Sequence, residues 1–312
     1  ADMNDLHVFD AHADTISYLR YAKQDLRHSP GHWDLDRAGE FAGFGQVFAL
    51  WADWVPRDAL WAECQRQHET YLTMLARYPE RIRHCRTARN AEDAWRAGKA
   101  AAFLSIEGAE MLDCDIAKLD IAADWSVRAL NLTWNFANEL SGSNAERPEQ
   151  GLSARGREFL RAMEERGILP DVSHLSDAGT WDVLRWARGP VIASHSNARA
   201  LCPHRRNLTD DMFRAIRDSG GFVGLNVYSA FVGGSNDFAA LAAHLEHFLA
   251  LDGEKTLGLG GDWDGCDAFP QGITGIESLL GFRDFLRARG WPEELLKDIF
   301  SRNLLRVMGG TQ

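Results

Sequence analysis

Residues 168–196, I-L-P-D-V-S-H-L-S-D-A-G-T-W-D-V-L-R-W-A-R-G-P-V-I-A-S-H-S, decide the fold. The apolar run Ile168–His174 reads as a buried strand. Ser176 is a fitting N-cap for an amphipathic helix over Ser176–Ala187. A second apolar run, Val191–His195, follows at once. Near-continuous apolar strands on either side of a helix are the pattern of parallel strands buried on both faces. Each strand here closes on a histidine.

The same pattern extends in both directions. Further strands are predicted at His7–His12, Gln46–Trp51, Ala100–Ile106, Val127–Leu132, Phe222–Val227 and Thr256–Gly261. Helices are predicted at Asp58–Tyr78, Ser153–Arg166, Thr209–Ser219, Phe238–Leu251 and Ile276–Arg289, with Gly167, Gly220 and Gly253 as stops. Eight strands, most followed by a helix, point to an α/β protein built as a closed (β/α)8 TIM barrel, which takes about 250 residues plus insertions. An open doubly wound sheet is the second choice. Two features sit awkwardly: Gln46–Trp51 lies far from the first strand, and Pro170 falls inside the fifth. No Gly/Ser linker divides the chain, so residues 1–312 are read as one domain.

Composition narrows the function. The chain has 34 Lys+Arg against 45 Asp+Glu, a formal charge of −11. That balance argues against a nucleic-acid partner or an anionic membrane surface. No segment has the length and apolarity to span a bilayer, and the acidic N-terminus does not read as a signal peptide. Cys64, Cys85, Cys114, Cys202 and Cys266 form no CxxC pair, which suits reduced thiols in a cytoplasmic protein. The sequence is compatible with a homodimer and does not decide the oligomeric state.

The polar residues at the strand ends carry the chemistry. His12 and Asp14 close the first strand, Glu107 the third, His174 the fifth, His195 the sixth and Asp262 the eighth. In a barrel those ends form one mouth, where active sites are built. Any one of these residues alone reads as an ordinary core or turn residue; six groups at five strand ends do not. Three imidazoles and two carboxylates without a thiolate suit zinc or a similar divalent metal. Five ligands exceed the needs of one catalytic zinc and match two ions sharing a carboxylate, about 3.5–4 Å apart, which can bind one hydroxide and polarise a carbonyl. Asp262 is then free for proton transfer; Asp264, two residues on, is the competing choice. Arg205 and Arg206, on the loop after His195, read either as a solvated basic loop or as a guanidinium for a substrate carboxylate.

Taken in order, F-D-A-H-A-D-T (9–15), S-I-E-G (105–108), L-N-L-T-W-N (130–135), D-V-S-H (171–174), S-H-S (194–196), R-R-N (205–207), G-G-D-W-D-G (260–265) and F-S-R-N-L-L-R-V-M (300–308) resemble the membrane (renal) dipeptidase family of the metallo-dependent amidohydrolase superfamily. The match runs nearly the whole chain. The resemblance implies a binuclear zinc dipeptidase that hydrolyses L-Xaa-L/D-Xaa dipeptides by attack of a metal-bridging hydroxide. His12 and Asp14 would hold one Zn2+, His174 and His195 the other, and Glu107 would bridge them. Asp262 would be the acid/base, Arg206 the carboxylate clamp, and Tyr228 a residue near the substrate. Where the animal enzymes read L-T-H, this chain reads L-T-W. Trp134 therefore stands at a substrate-contacting position without a proton-active ring, and Asn135 beside it is a candidate replacement. The animal enzymes' secretion and lipid-anchor signals have no counterpart here, so membrane attachment is not carried over. Two other readings stay open: another metal-dependent amidohydrolase acting on N-acyl amino acids, lactams or a carboxylate ester, and a non-catalytic barrel that binds metal and peptide.

Overall fold

The computed structural model describes residues 5–309. Its strands are β1 His7–Ala13, β2 Gly43–Leu50, β3 Ile82–His84, β4 Ala100–Glu107, β5 Val127–Asn131, β6 Leu169–Asp171, β7 Ile192–Ala193, β8 Phe222–Leu225 and β9 Leu257–Leu259. All pairings between them are parallel. The order β2-β1-β9-β8-β7-β6-β5-β4 closes on itself because β2 also pairs with β4, from Gly45↔Ala101 to Leu50↔Ile106. Eight strands thus form the predicted (β/α)8 barrel.

β3 is the ninth strand and was not expected. It pairs with Ala100–Ala102 of β4, whereas β5 joins β4 only from Leu104 onward. Of its three residues only Ile82 is buried, so it leaves no apolar run to read. The distance between β1 and β2 is taken up by helices Thr15–Ala22 and Leu35–Ala38. Pro170 is tolerated because β6 meets β7 only at Asp171↔Ile192, so the missing N–H lies ahead of that ladder.

Two cores follow from the alternation of strand side chains. Ala101 and Phe103 of β4 join Ala129, Leu169, Ile192 and Phe222 in an inner core, which also takes in Ala91, Ala94, Leu304 and Met308 from two helices. Ala102, Leu104 and Ile106 pack instead in the larger core shared with the surrounding helices. Glu107 follows the inner parity of Ala101 and Phe103. Pairing Asp10↔Gln46 and then Ala13↔Phe48 leaves one extra residue in β1, and this irregularity breaks the alternation beside His12.

The helices begin where capping predicts. Ser153, Ser176 and Thr209 accept from the N–H groups of Gly156, Gly179 and Met212. The helix expected from Asp58 starts at Leu60 after a single 3-10 turn, Arg57–Ala59. Gly167 and Gly220 adopt positive φ as helix stops, but after Phe238–Leu249 the left-handed residue is Asp252, not Gly253. The closing segment is a π turn, Asp298–Arg302, followed by helix Asn303–Met308.

Candidate active site

Barrel closure carries the six predicted polar residues to one mouth. His12 lies in β1, and Asp14 is the next residue but one, at the N-terminus of helix Thr15–Ala22. Glu107 is the last residue of β4. His174 and His195 do not end their strands as expected: β6 stops at Asp171 and β7 at Ala193, and both histidines sit on the turns beyond. His174 has φ 75° and Asp262, beyond β9, has φ 60°. Such backbone is uncommon outside glycine and concentrates at functional sites.

Three imidazoles converge on one carboxylate oxygen. Glu107 Oε2 lies 3.3 Å from His12 Nε2, 3.1 Å from His174 Nε2 and 3.3 Å from His195 Nε2. Asp14 Oδ2 and Asp262 Oδ1 lie 3.4 and 3.6 Å from His12 Nε2. All five proposed ligands are buried. His174 Nδ1 meets the side-chain oxygen Oδ1 of Asn135 at 2.9 Å, so its proton sits on Nδ1 and its Nε2 is bare. His195 Nδ1 is engaged by Ser194 Oγ at 2.7 Å. The two Nε2 atoms are nevertheless 3.2 Å apart. His12 Nε2 and Asp14 Oδ1 are buried without a hydrogen-bond partner. Lone pairs crowded together in this way lack only a cation between them. The donor set, imidazole and carboxylate without thiolate, fits divalent ions of the zinc type.

The electrostatics favour ligation at Glu107, His174 and His195, whereas the His12 ring, held protonated by its carboxylate neighbours, must give up that proton to ligate an ion. Burial penalises the Glu107 carboxylate, yet the His12 charge and the imidazole contacts hold it well below the usual carboxylate range. Burial likewise works against a charged His12, but Glu107 and Asp14 carry it well above the ordinary imidazole value. Burial takes His174 down to about 4 and holds His195 well below the ordinary imidazole value, with the Arg206 charge adding to both. Those two rings are neutral, as metal ligation requires.

The two aspartates of G-G-D-W-D-G have different surroundings. Asp264 is committed: it accepts from Thr15 Oγ1 at 2.7 Å and from the His32 backbone N–H at 2.6 Å, and its own N–H donates to His32 Nδ1 at 2.8 Å. Asp262 faces the ligand cluster, and burial raises its carboxyl above the usual range. Gly265 is required beside it, since a Cβ there would lie 2.1 Å from Asp14 Oδ2 and 2.3 Å from Asp262 Oδ1. His12, Asp14 and Asp262 together also satisfy the spacing of a metal site, as do His12, Glu107 and His195.

Arg206 is buried, whereas Arg205 is exposed. Arg206 Nη2 donates to His195 O at 3.0 Å and Nη1 to Ser196 Oγ at 3.4 Å, while Nε is buried without a partner. The guanidinium lies 5.1 Å over the Phe231 ring. Among the described residues no carboxylate pairs with it at ion-pair distance. A cavity of about 420 Å³ opens over these groups, lined by Asp14, Glu107, His174, Arg206 and Asp262 and walled by Trp51, Trp134, Tyr228 and Phe231. Asp267 beside the Tyr228 hydroxyl pushes the phenol up. Asn135 lines the cavity too, and its side-chain oxygen is occupied by His174 Nδ1. A cleft of about 490 Å³ near the start of β6, lined by Arg128, Pro170 and Arg188, holds none of these donors.

Sequence reasoning missed Asp10, Asp171, Trp51 and Phe231. Asp10 accepts from the backbone N–H of His12 (3.0 Å) and Gly261 (2.8 Å) and from Trp263 Nε1 (3.1 Å), tying β1 to the Asp262 loop. Asp171 Oδ1 accepts from Ser173 N and Ser194 N, each at 3.0 Å, tying together the turns that carry His174 and His195. The available signal was a carboxylate inside an apolar run, two or three residues ahead of a histidine.

Over residues 2–312 the chain matches the model of the membrane dipeptidase family, peptidase family M19. The chain belongs to that family. This member is a metallopeptidase with the amidohydrolase-type barrel, and hence a peptide hydrolase. It is 34% identical, over 81% of its length and 96% of the other, to an uncharacterised protein in the pqqA 5′ region of Klebsiella pneumoniae. It is similar to a metallo peptidase from Rhodobacter sphaeroides liganded with a phosphinate mimic of the dipeptide L-Ala-D-Ala, with 26% identity, TM-score 0.89 and coverage of 98% and 99% of the two chains. The structure of dipeptidase AC, a metallo peptidase of family M19, matches at 26% identity and TM-score 0.89, covering 98% of each chain. Although the family is named for a membrane enzyme, no helix among the described residues of this membrane dipeptidase family member is long and apolar enough to cross a bilayer.

Proposed function

We propose that this chain is a dipeptidase working with two divalent ions, zinc in the first instance. His12 and Asp14 hold one ion, His174 and His195 the other, and Glu107 is shared. The observation that carries this reading is the meeting of three imidazole Nε2 atoms on Glu107 Oε2 within 3.1–3.3 Å. The dipeptide mimic bound by the Rhodobacter sphaeroides relative supports the substrate class. Bound ions supply Lewis-acid polarisation of the scissile carbonyl and lower the pKa of the attacking water.

The chain's own residues do the rest. Asp262 accepts the water proton and passes it to the leaving amine. Arg206 holds the C-terminal carboxylate: among the described residues no carboxylate pairs with its buried charge, and its guanidinium lies over the Phe231 ring. A clamp beside the ligand cluster leaves room for one residue beyond the scissile bond, which limits the substrate to dipeptides. Five free thiols, three of them buried, suit a reducing compartment such as the cytoplasm.

Free and N-acetylated L-Ala-L-Ala and L-Ala-D-Ala test the assignment. Free dipeptides of both configurations are expected to be cleaved and the acetylated forms spared. Equal rates on both would favour an N-acyl amidohydrolase. Arg206→Ala is expected to lower kcat/KM by about ten- to a few hundred-fold, the worth of a charge-assisted contact. Arg206→Lys should recover only part of that, because an ammonium lacks the fork. A dipeptide amide, already poor with the wild type, should lose little more in Arg206→Ala. Equal loss on acid and amide would mean that Arg206 only supports its loop.

A further inference from the structure

One wall of the cavity is aromatic and prearranged. Trp51 and Trp134 meet edge to face, ring centroids 4.9 Å apart at 65°, and Phe136 packs on Trp134 at 5.2 Å. Trp134 also reaches the His174 ring at 6.2 Å, so the wall starts at the ligand cluster. Phe136, 48% exposed, packs behind Trp134 and faces a neighbouring cleft lined by Arg57 and Glu110. Both loops that carry the wall are fastened. The side chain of the fully buried Gln67 accepts from Trp51 N at 2.9 Å and donates to Trp51 O at 2.8 Å. Asn138 Nδ2 donates to Leu132 O at 2.7 Å and to Glu110 Oε2 at 2.8 Å, holding the turn that carries Trp134 and Phe136. Large apolar rings kept half-open in a fixed position mark a recognition surface.

Among the described residues no ring contact joins the wall to the carboxylate clamp. Phe231 packs with Arg206 and Tyr228, and the ring neighbours of Trp134 are Trp51, Phe136 and His174. A dipeptide whose C-terminal carboxylate lies on Arg206 and whose carbonyl lies on the ligand cluster therefore has its N-terminal residue left for the tryptophan side. We propose that Trp51 and Trp134 form the subsite for the substrate's N-terminal side chain, and that this subsite selects large apolar and aromatic residues. This rests on the dipeptidase reading above.

The test compares kcat/KM for L-Phe-L-Ala, L-Leu-L-Ala, Gly-L-Ala, L-Glu-L-Ala and the reversed L-Ala-L-Phe on the zinc-loaded enzyme. Phe and Leu at the first position are expected to exceed Gly by about 10- to 200-fold, the range a hydrophobic pocket achieves, with Glu at or below Gly. In Trp134→Ala the Phe/Gly ratio should fall to within a few-fold of one, and Trp134→Phe should keep part of it. Phe136→Ala, which removes the ring packed behind Trp134 without touching the cavity, should lower the ratio less than Trp134→Ala. A wild-type ratio near one overturns the proposal. So does a ratio that survives in Trp134→Ala, or a preference confined to the second position. If free dipeptides are cleaved without such a preference, the subsite alone is wrong. If none is cleaved, the dipeptidase reading falls with it.

Discussion

Asp262→Asn is expected to lower kcat by about 10²–10⁴, the usual scale for a general acid–base residue, with metal content unchanged. The amide keeps the shape of the side chain and its place over the cluster but cannot take a proton. Asp262 suits the task because it faces the ligand cluster, 3.6 Å from His12 Nε2, and burial raises its carboxyl above the usual carboxylate range. Asp264→Asn should act differently. Its carboxylate receives Thr15 Oγ1 and the His32 N–H, so the change should loosen that clamp and lower stability more than turnover. Measuring kcat, bound metal and melting temperature for both variants separates the roles. Loss of an ion in Asp262→Asn would make Asp262 a ligand, a role that its spacing from His12 and Asp14 also permits.

Glu107→Ala should have the larger effect on the site itself. If Glu107 is shared, its loss disturbs both ions, and dipeptide hydrolysis should fall to the background of the assay. His12→Ala removes a ligand from one ion only, so metal content should fall by about half. The asymmetry follows from Glu107 Oε2 being the common neighbour of three imidazoles. Elemental analysis of the purified variants reads it directly. If Glu107→Ala retained one full equivalent, Glu107 would serve a single ion.

Most of this arrangement was legible because buried parallel strands leave apolar runs, and a histidine or carboxylate at the end of such a run stands out. The runs over-read their strands where polar residues leave the ladder early. In Ile168–His174 the paired residues are only Leu169–Asp171, and Ser173 instead bonds its hydroxyl to Ser196 Oγ. Ile82–His84 was invisible because a strand with one buried residue has no pattern. The roles of Asp10 and Asp171 were also out of reach. Asp10 serves Gly261 and Trp263, some 250 positions away, and only barrel closure brings them together. Asn135 was named from its place beside Trp134, but the placement of the His174 ring decides what its side-chain oxygen does. The aromatic wall needed the same long-range information, since Trp51 and Trp134 come from different strand ends.

Titrating metal-free protein with zinc while following L-Ala-L-Ala hydrolysis tests the central claim most directly. The account predicts that activity rises to its plateau at two equivalents per chain. A plateau at one equivalent, or no hydrolysis at any loading, would contradict it.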